Sequence, residues 1–221
     1  MAATANATPR DVNVFWFGPE WESDRAALST QDYFGKVAMA RWYGGGAEAD
    51  AACAVFADLI RKAGRGELLK DAAWGGTPDA RLATVLLLDQ LARGAFRGTP
   101  EAFAYDDAAI ETALAAVDAG QDVAMSAAER QFLYTPLMHS ESAADHARAL
   151  KLFGSLVDAF PALGVAKYAL NFEKEHAAVV ERFGRYPHRN AAKGRTTTAE
   201  EAEWLASPDL PSWAKSQLAK A

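Results

Sequence analysis

Residues 126–160, SAAERQFLYTPLMHSESAADHARALKLFGSLVDAF, decide the fold. Ser126 and Glu129 have capping-box spacing: the hydroxyl accepts from a backbone N–H three residues on, and the carboxylate reaches back to the N–H of the cap. A helix over 127–139 follows. Leu150, Phe153, Val157 and Phe160 recur at helical spacing and predict a second helix over 143–160, started by a cap near Ser142. A turn this short makes the two helices antiparallel neighbours.

The same punctuation recurs outward in both directions. Thr77-Pro78 and Thr99-Pro100 each put a capping hydroxyl before a proline suited to a first helical turn. Thr198 and Glu201 repeat the capping box, and Gly184 followed by Pro187 marks a helix end. Ile110, Leu114 and Val117 follow Phe103 and Asp107 on one stripe; Tyr168, Phe172, Val179 and Phe183 form another. Further helices are predicted near 11–17, 24–42, 47–64, 79–96, 101–119, 163–183 and 198–206. Val12–Phe17 alone also reads as a strand, but no second strand pattern exists to pair with it. The expected fold class is all-α, stacked antiparallel helical hairpins. Residues 1–10 are expected to be disordered or extended, and 11–221 to form a single all-helical domain. Short loops fall at Gly44–Gly46, Gly64–Gly66 and Gly75-Gly76, and no internal repeat is visible.

Of the 221 residues half are hydrophobic, which excludes a disordered chain, and the net charge is −6. An acidic surface argues against nucleic acid and anionic membranes as partners. The longest aliphatic run, Val85–Leu88, is too short to span a bilayer, and residues 1–10 lack the apolar run of a signal peptide. The single cysteine, Cys53, lies in an apolar helical setting and reads as a small buried hydrophobe. A cytoplasmic location is expected, with no cofactor.

Polar residues that interrupt apolar stripes carry the functional signal. Asp89 and Arg93 share a face four residues apart, beyond Leu82, Val85 and Leu86. Burying that face leaves either an internal ion pair or an arginine oriented into a cavity. His176 stands on the stripe of Phe172 and Val179, as a hydrogen-bonded core histidine or a functional one. His139 and Glu141 fall in a helix-to-helix turn after Pro136, as capping groups or as site residues. The segment from Arg182 through Arg185, His188, Arg189 and Asn190 to Lys193 and Arg195 holds no acidic residue. Such arginines either bind an anion bidentately or tie down helix ends and buried acids such as Asp89. Glu173-x-x-His176 has the spacing of a di-iron helix motif, but no second copy exists and Glu173 sits in a charged run that reads as solvent-facing; no metal is expected.

Several of these segments also carry a resemblance. Val14-Phe15-Trp16-Phe17-Gly18, Leu86-Leu87-Leu88-Asp89-Gln90 with Arg93, Arg97-Gly98-Thr99 and Phe103-Ala104 occur in order. Phe132 through Glu141, then His176 leading into Arg182 through Asn190, and Gly194-Arg195 before the last capped helix follow. This order is similar to the bacterial domain-of-unknown-function family 924. The resemblance spans about Val12 to Leu205 and implies an all-helical fold like a tetratricopeptide-repeat superhelix, with no established reaction. Tyr186 stands where the family more often has phenylalanine, and Ala92 and Gly94 flank Arg93 in place of larger residues.

Three functions are compatible with these residues. The first is a binding protein holding a small anionic ligand or peptide carboxylate among Asp89, Arg93, His139, Glu141, His176, Arg182, Arg185, His188, Arg189 and Asn190. The second is a hydrolase or group-transfer enzyme, with His139 or His176 as general base, Glu141 orienting it and arginines holding developing negative charge. The third is a protein-interaction scaffold. The arginine reading specifically places Arg93, Arg185 and Arg189 on one site.

Overall fold

The computed structural model describes residues 7–38, 42 and 46–215. Among these no strand occurs, and the fold is all-α. Helix α1 (Pro9–Phe17) starts two residues earlier than expected, because Thr8 and Asp11 form a capping box and Pro9 fits the first turn. This removes the strand reading of Val12–Phe17. The predicted 24–42 helix is instead a 3₁₀ turn (Arg25–Ser29) and a short α-to-π stretch over Gln31–Ala38. Residues 1–6, 39–41 and most of the glycine run at 44–46 lie outside the described residues.

The predicted 47–64 helix is broken at Val55-Phe56 into α2 (Ala47–Ala54) and α3 (Ala57–Gly64). The predicted 79–96 helix is present, but not as one regular helix. It runs as α4 (Pro78–Val85), a π turn over Leu86–Leu91, and α5 (Ala92–Ala95). Thr77 caps α4 as expected, whereas Thr99 caps nothing and donates its hydroxyl to the Phe96 carbonyl. Then come α6 (Asp106–Asp118), α7 (Ala127–Met138), α8 (Ala143–Ala159) and α9 (Gly164–Phe183). The chain closes with α10 (Ala199–Leu205) and a single turn, α11 (Ser212–Lys215). Both predicted capping boxes are formed, and Gly184 takes the left-handed conformation (φ 67°) that ends α9. No described helix is long and apolar enough to cross a membrane.

Helices α7, α8 and α9 pack in succession, α1 and α6 lie against α4, and α2 lies against α5. Two stripes face the core one position away from where the large residues suggested. Helix α6 buries Ala109, Ala113 and Ala116 and leaves Ile110, Leu114 and Val117 half-exposed. Helix α9 buries Ala166, Ala169, Glu173 and His176, while Tyr168 is 55 % exposed. Alanine lets helices approach closely, so these positions are chosen by backbone distance rather than side-chain size.

Gly94 makes the same point more sharply. A Cβ there would sit 2.7 Å from Cys53 Sγ and 2.9 Å from Cys53 Cβ. The small residue beside Arg93 is therefore matched to the buried thiol, which burial pushes up to about 11 and out of thiolate chemistry. Gly94→Ala is expected to lower the melting temperature despite its better helix propensity. The overpacking costs about 1–3 kcal/mol, and each kcal/mol shifts Tm by roughly 2–4 °C at this size. A rise in Tm on thermal melting would mean that α2 and α5 yield to the methyl group.

Candidate functional site

Three of the chain's four histidines surround one buried tyrosine and the fourth, His139, lies beside His176, although they come from four separate segments. His139 ends α7, His146 is in the first turn of α8, and His176 is in α9. His188 sits in the short 3₁₀ turn Pro187–Arg189. The Tyr186 ring centre is 6.2 Å from that of His146, 5.9 Å from His176 and 5.4 Å from His188; His139 lies 6.3 Å from His176. Tyr186 is fully buried, donates its hydroxyl to the Met138 carbonyl, and has its pKa pushed well above the ordinary phenol value by that burial.

His139 stands 2.6 Å through Nδ1 from Asp89 Oδ1. Asp89 is completely buried, which by itself would raise its pKa, but His139, Arg93 and Gln90 outweigh the burial and keep it below the ordinary value. An ionised carboxylate only accepts, so Nδ1 carries the proton and Nε2 keeps its lone pair in the neutral ring. The His139 side chain is 21 % exposed. A positioned imidazole backed by a buried carboxylate and open to solvent can take or give a proton. Asp89, not the predicted Glu141, orients it.

His146 and Glu173 form a second pair, fully enclosed, at 2.8 Å. His146 Nε2 faces the Ser140 carbonyl at 2.9 Å and must donate to it, with the Tyr186 hydroxyl oxygen at 3.2 Å. Its Nδ1 and the Glu173 carboxyl therefore share one proton, and burial raises Glu173 to match. The solvent-facing reading of Glu173 is corrected here: it lies on the buried stripe of α9, three residues before His176. His146 escaped attention, although it lies seven residues before Phe153 on one helical face.

His176 donates from Nδ1 to the Phe172 carbonyl and stacks on Trp213 of α11 with ring centres 3.8 Å apart. Burial, helped by His139, drives it down to about 3. His188 is driven down to about 2, again chiefly by burial and then by Arg189, and its Nδ1 has no partner. Both rings are neutral at physiological pH. Among the described residues no group of three His, Cys, Asp or Glu side chains is placed to hold a metal ion.

The arginines divide into two sets. Arg93 and Arg189 meet at Asp106, at 2.7 Å and 3.1 Å, on the start of α6. Asp106 had no expected role, while the expected Asp89–Arg93 pair is a looser 3.7 Å contact. Arg185 does not join them: it is bidentate to Glu201, which it holds at about 2, and it reaches the Thr196 carbonyl. Arg182 pairs with Glu200 on the surface. Asn190 donates to Glu201 from a buried position. Glu141 accepts from the Tyr186 N–H and takes both donors of Arg195. Burial works to raise Glu141, but Arg195 and the Tyr186 N–H together hold it below its ordinary value. Thus Asp89, Arg93, His139, His176, His188 and Arg189 converge, whereas Glu141, Arg182, Arg185 and Asn190 bind the Arg-rich loop and α10 to the body of the fold.

No curated protein matches the chain. A solved structure of a protein of unknown function, ATU0120 from Agrobacterium tumefaciens, is similar to it at 33 % identity and a TM-score of 0.70, covering 90 % of this chain and 96 % of that one. The family model described as bacterial protein of unknown function, DUF924, matches residues 12–209, a span that takes in every side chain of the cluster from Asp89 to Arg195. The chain belongs to that family.

Proposed function

We propose that this protein is an enzyme of the hydrolase or group-transfer class in which His139 is the general base. The observation that carries this is the Asp89–His139 pair: a buried, ionised carboxylate fixes the tautomer of a partly exposed imidazole. A ring held this way presents Nε2 to a water or a substrate hydroxyl, and the reaction needs no change in the protein to align it. His176 and His188, held neutral, add polar surface without competing for the proton. The test is a screen of esters, amides and phosphoesters with wild type, His139→Asn and Asp89→Asn. Activity is expected to fall roughly 10²–10⁴-fold on loss of the base, with the double variant no worse than His139→Asn. Full activity in a folded His139→Asn variant would remove the proposal.

The runner-up is a binding protein that holds a small anion or a peptide carboxylate without chemistry. The two buried guanidinium groups at Asp106 favour it. The rest of the reading is a tetratricopeptide-repeat-like stacking of α7, α8 and α9 within one domain over 11–221. It also includes a cytoplasmic location, suited to a lone buried thiol, and no nucleic-acid or membrane partner, suited to a net charge of −6.

A further inference from the structure

Three cations crowd one aromatic ring. The guanidinium carbons of Arg93 and Arg189 lie 4.8 Å and 4.9 Å from the centre of the Phe103 ring, and Lys193 Nζ lies 5.9 Å from it. One carboxylate, Asp106, serves both arginines, and Arg93 spends a further donor on the Ala102 carbonyl. The other acids nearby are engaged: Asp89 by His139 and Gln90, Glu141 by Arg195. Lys193 is half-buried and, among the described residues, has no carboxylate within ion-pair distance.

The deficit is visible at the level of single atoms. Arg189 is 3 % exposed, yet its Nε–H has no acceptor. Burial and the nearby Arg93 lower the pKa of Arg189, and burial lowers that of Lys193. A buried donor without an acceptor costs free energy that an arriving anion returns.

We propose that Arg189 and Lys193, over the Phe103 ring and backed by Arg93, seat a carboxylate of the substrate. This rests on the reading of His139 as the base and names the substrate class for it. The chemistry selects a monocarboxylate over a phosphate dianion. Only one cation, Lys193, lacks a carboxylate partner, and a second negative charge would enter a low-dielectric site uncompensated. The seat is tied to the base through the Arg93–Asp89 contact, so substrate would be held by one end of the network and deprotonated at the other.

The experiment is a calorimetric and NMR titration of the intact protein with acetate, butyrate and benzoate, with inorganic phosphate and benzamide as comparisons. Wild type is expected to bind benzoate more tightly than phosphate and not to bind benzamide. Lys193→Met keeps the stem, removes the charge at a half-exposed position, and is expected to weaken benzoate about tenfold. His139→Asn is expected to leave benzoate affinity unchanged. The proposal is overturned if no carboxylate binds wild type, if phosphate binds more tightly, or if Lys193→Met binds as wild type does. Carboxylate binding together with a fully active His139→Asn variant would retain this seat and discard the base; the reverse pair of results would retain the base and discard the seat.

Discussion

Acidification from pH 6.5 to about pH 4 is expected to unfold this protein steeply, more steeply than its carboxylates alone would require. His176 and His188 are neutral in the fold, with pKa values near 3 and 2, and near 6.5 once unfolded. Below pH 6.5 the unfolded chain binds protons that the folded chain refuses, so stability falls with pH. The stability is complete above the unfolded pKa and is lost as pH falls toward the folded values. Each histidine contributes about 1.4 kcal/mol per pH unit over that window, so the pair removes roughly 4 kcal/mol by pH 5. That is a large part of a typical domain's 5–15 kcal/mol. Glu173 works against this, since its raised pKa favours the fold at low pH, but it is one group against two. Urea denaturation at half-unit pH steps checks it. His176→Gln with His188→Gln should flatten the slope between pH 6.5 and 5. A slope unchanged by that double substitution would mean that these rings are hydrated in the fold.

Asp106→Ala is expected to cost about 3–5 kcal/mol, the range for removing one partner from a buried ion pair. Here the loss strands two guanidinium groups: Arg93, whose remaining acid is Asp89 at 3.7 Å, and Arg189, which has no other hydrogen-bonded acid. Asp106→Asn keeps the shape and loses the charge, and should fall in between. The measurement is the urea midpoint at pH 7, where an unchanged m-value assigns the shift to stability. A loss below about 1 kcal/mol, the size of an exposed pair, would mean that water reaches both arginines. Such a result would also weaken the carboxylate seat, which depends on those charges being dry.

Most of the fold was legible because its signals are local. Capping boxes at Ser126 and Thr198 and the glycine at 184 act within one turn of chain, and each formed as read. The site was legible only in part. Asp89 and His176 stood out because they interrupt apolar runs and His139 because it falls in a helix-to-helix turn, and His139 meets both of the others. His146 was missed and Glu173 was read as solvent-facing because the stripes were phased on large residues such as Leu150 and Tyr168. The helices instead turn Ala149 and Ala169 inward, and that phase carries the histidine and the glutamate with it. Asp106 could not be found from the chain at all: its partners lie 13 and 83 residues away and share no helix face with it. Arg185 was misassigned for the same reason, since Glu201 in the next capping box claims it.

The π turn over Leu86–Leu91 has a consequence for how such a site can be lost. A π turn closes its hydrogen bonds one residue later than an α turn, so it accommodates one residue more than a regular helix needs. Asp89 lies inside it and Arg93 just beyond it. Were the same six residues to wind as ordinary α-helix, that extra residue would no longer be absorbed. Everything after it would rotate by about 100° relative to α4. The helix would survive, even gain regularity, while Arg93 swung away from Asp106 and Gly94 from Cys53. The cluster is in that sense a matter of arithmetic along the chain: the same side chains carried on a regular helix of unchanged length would no longer meet.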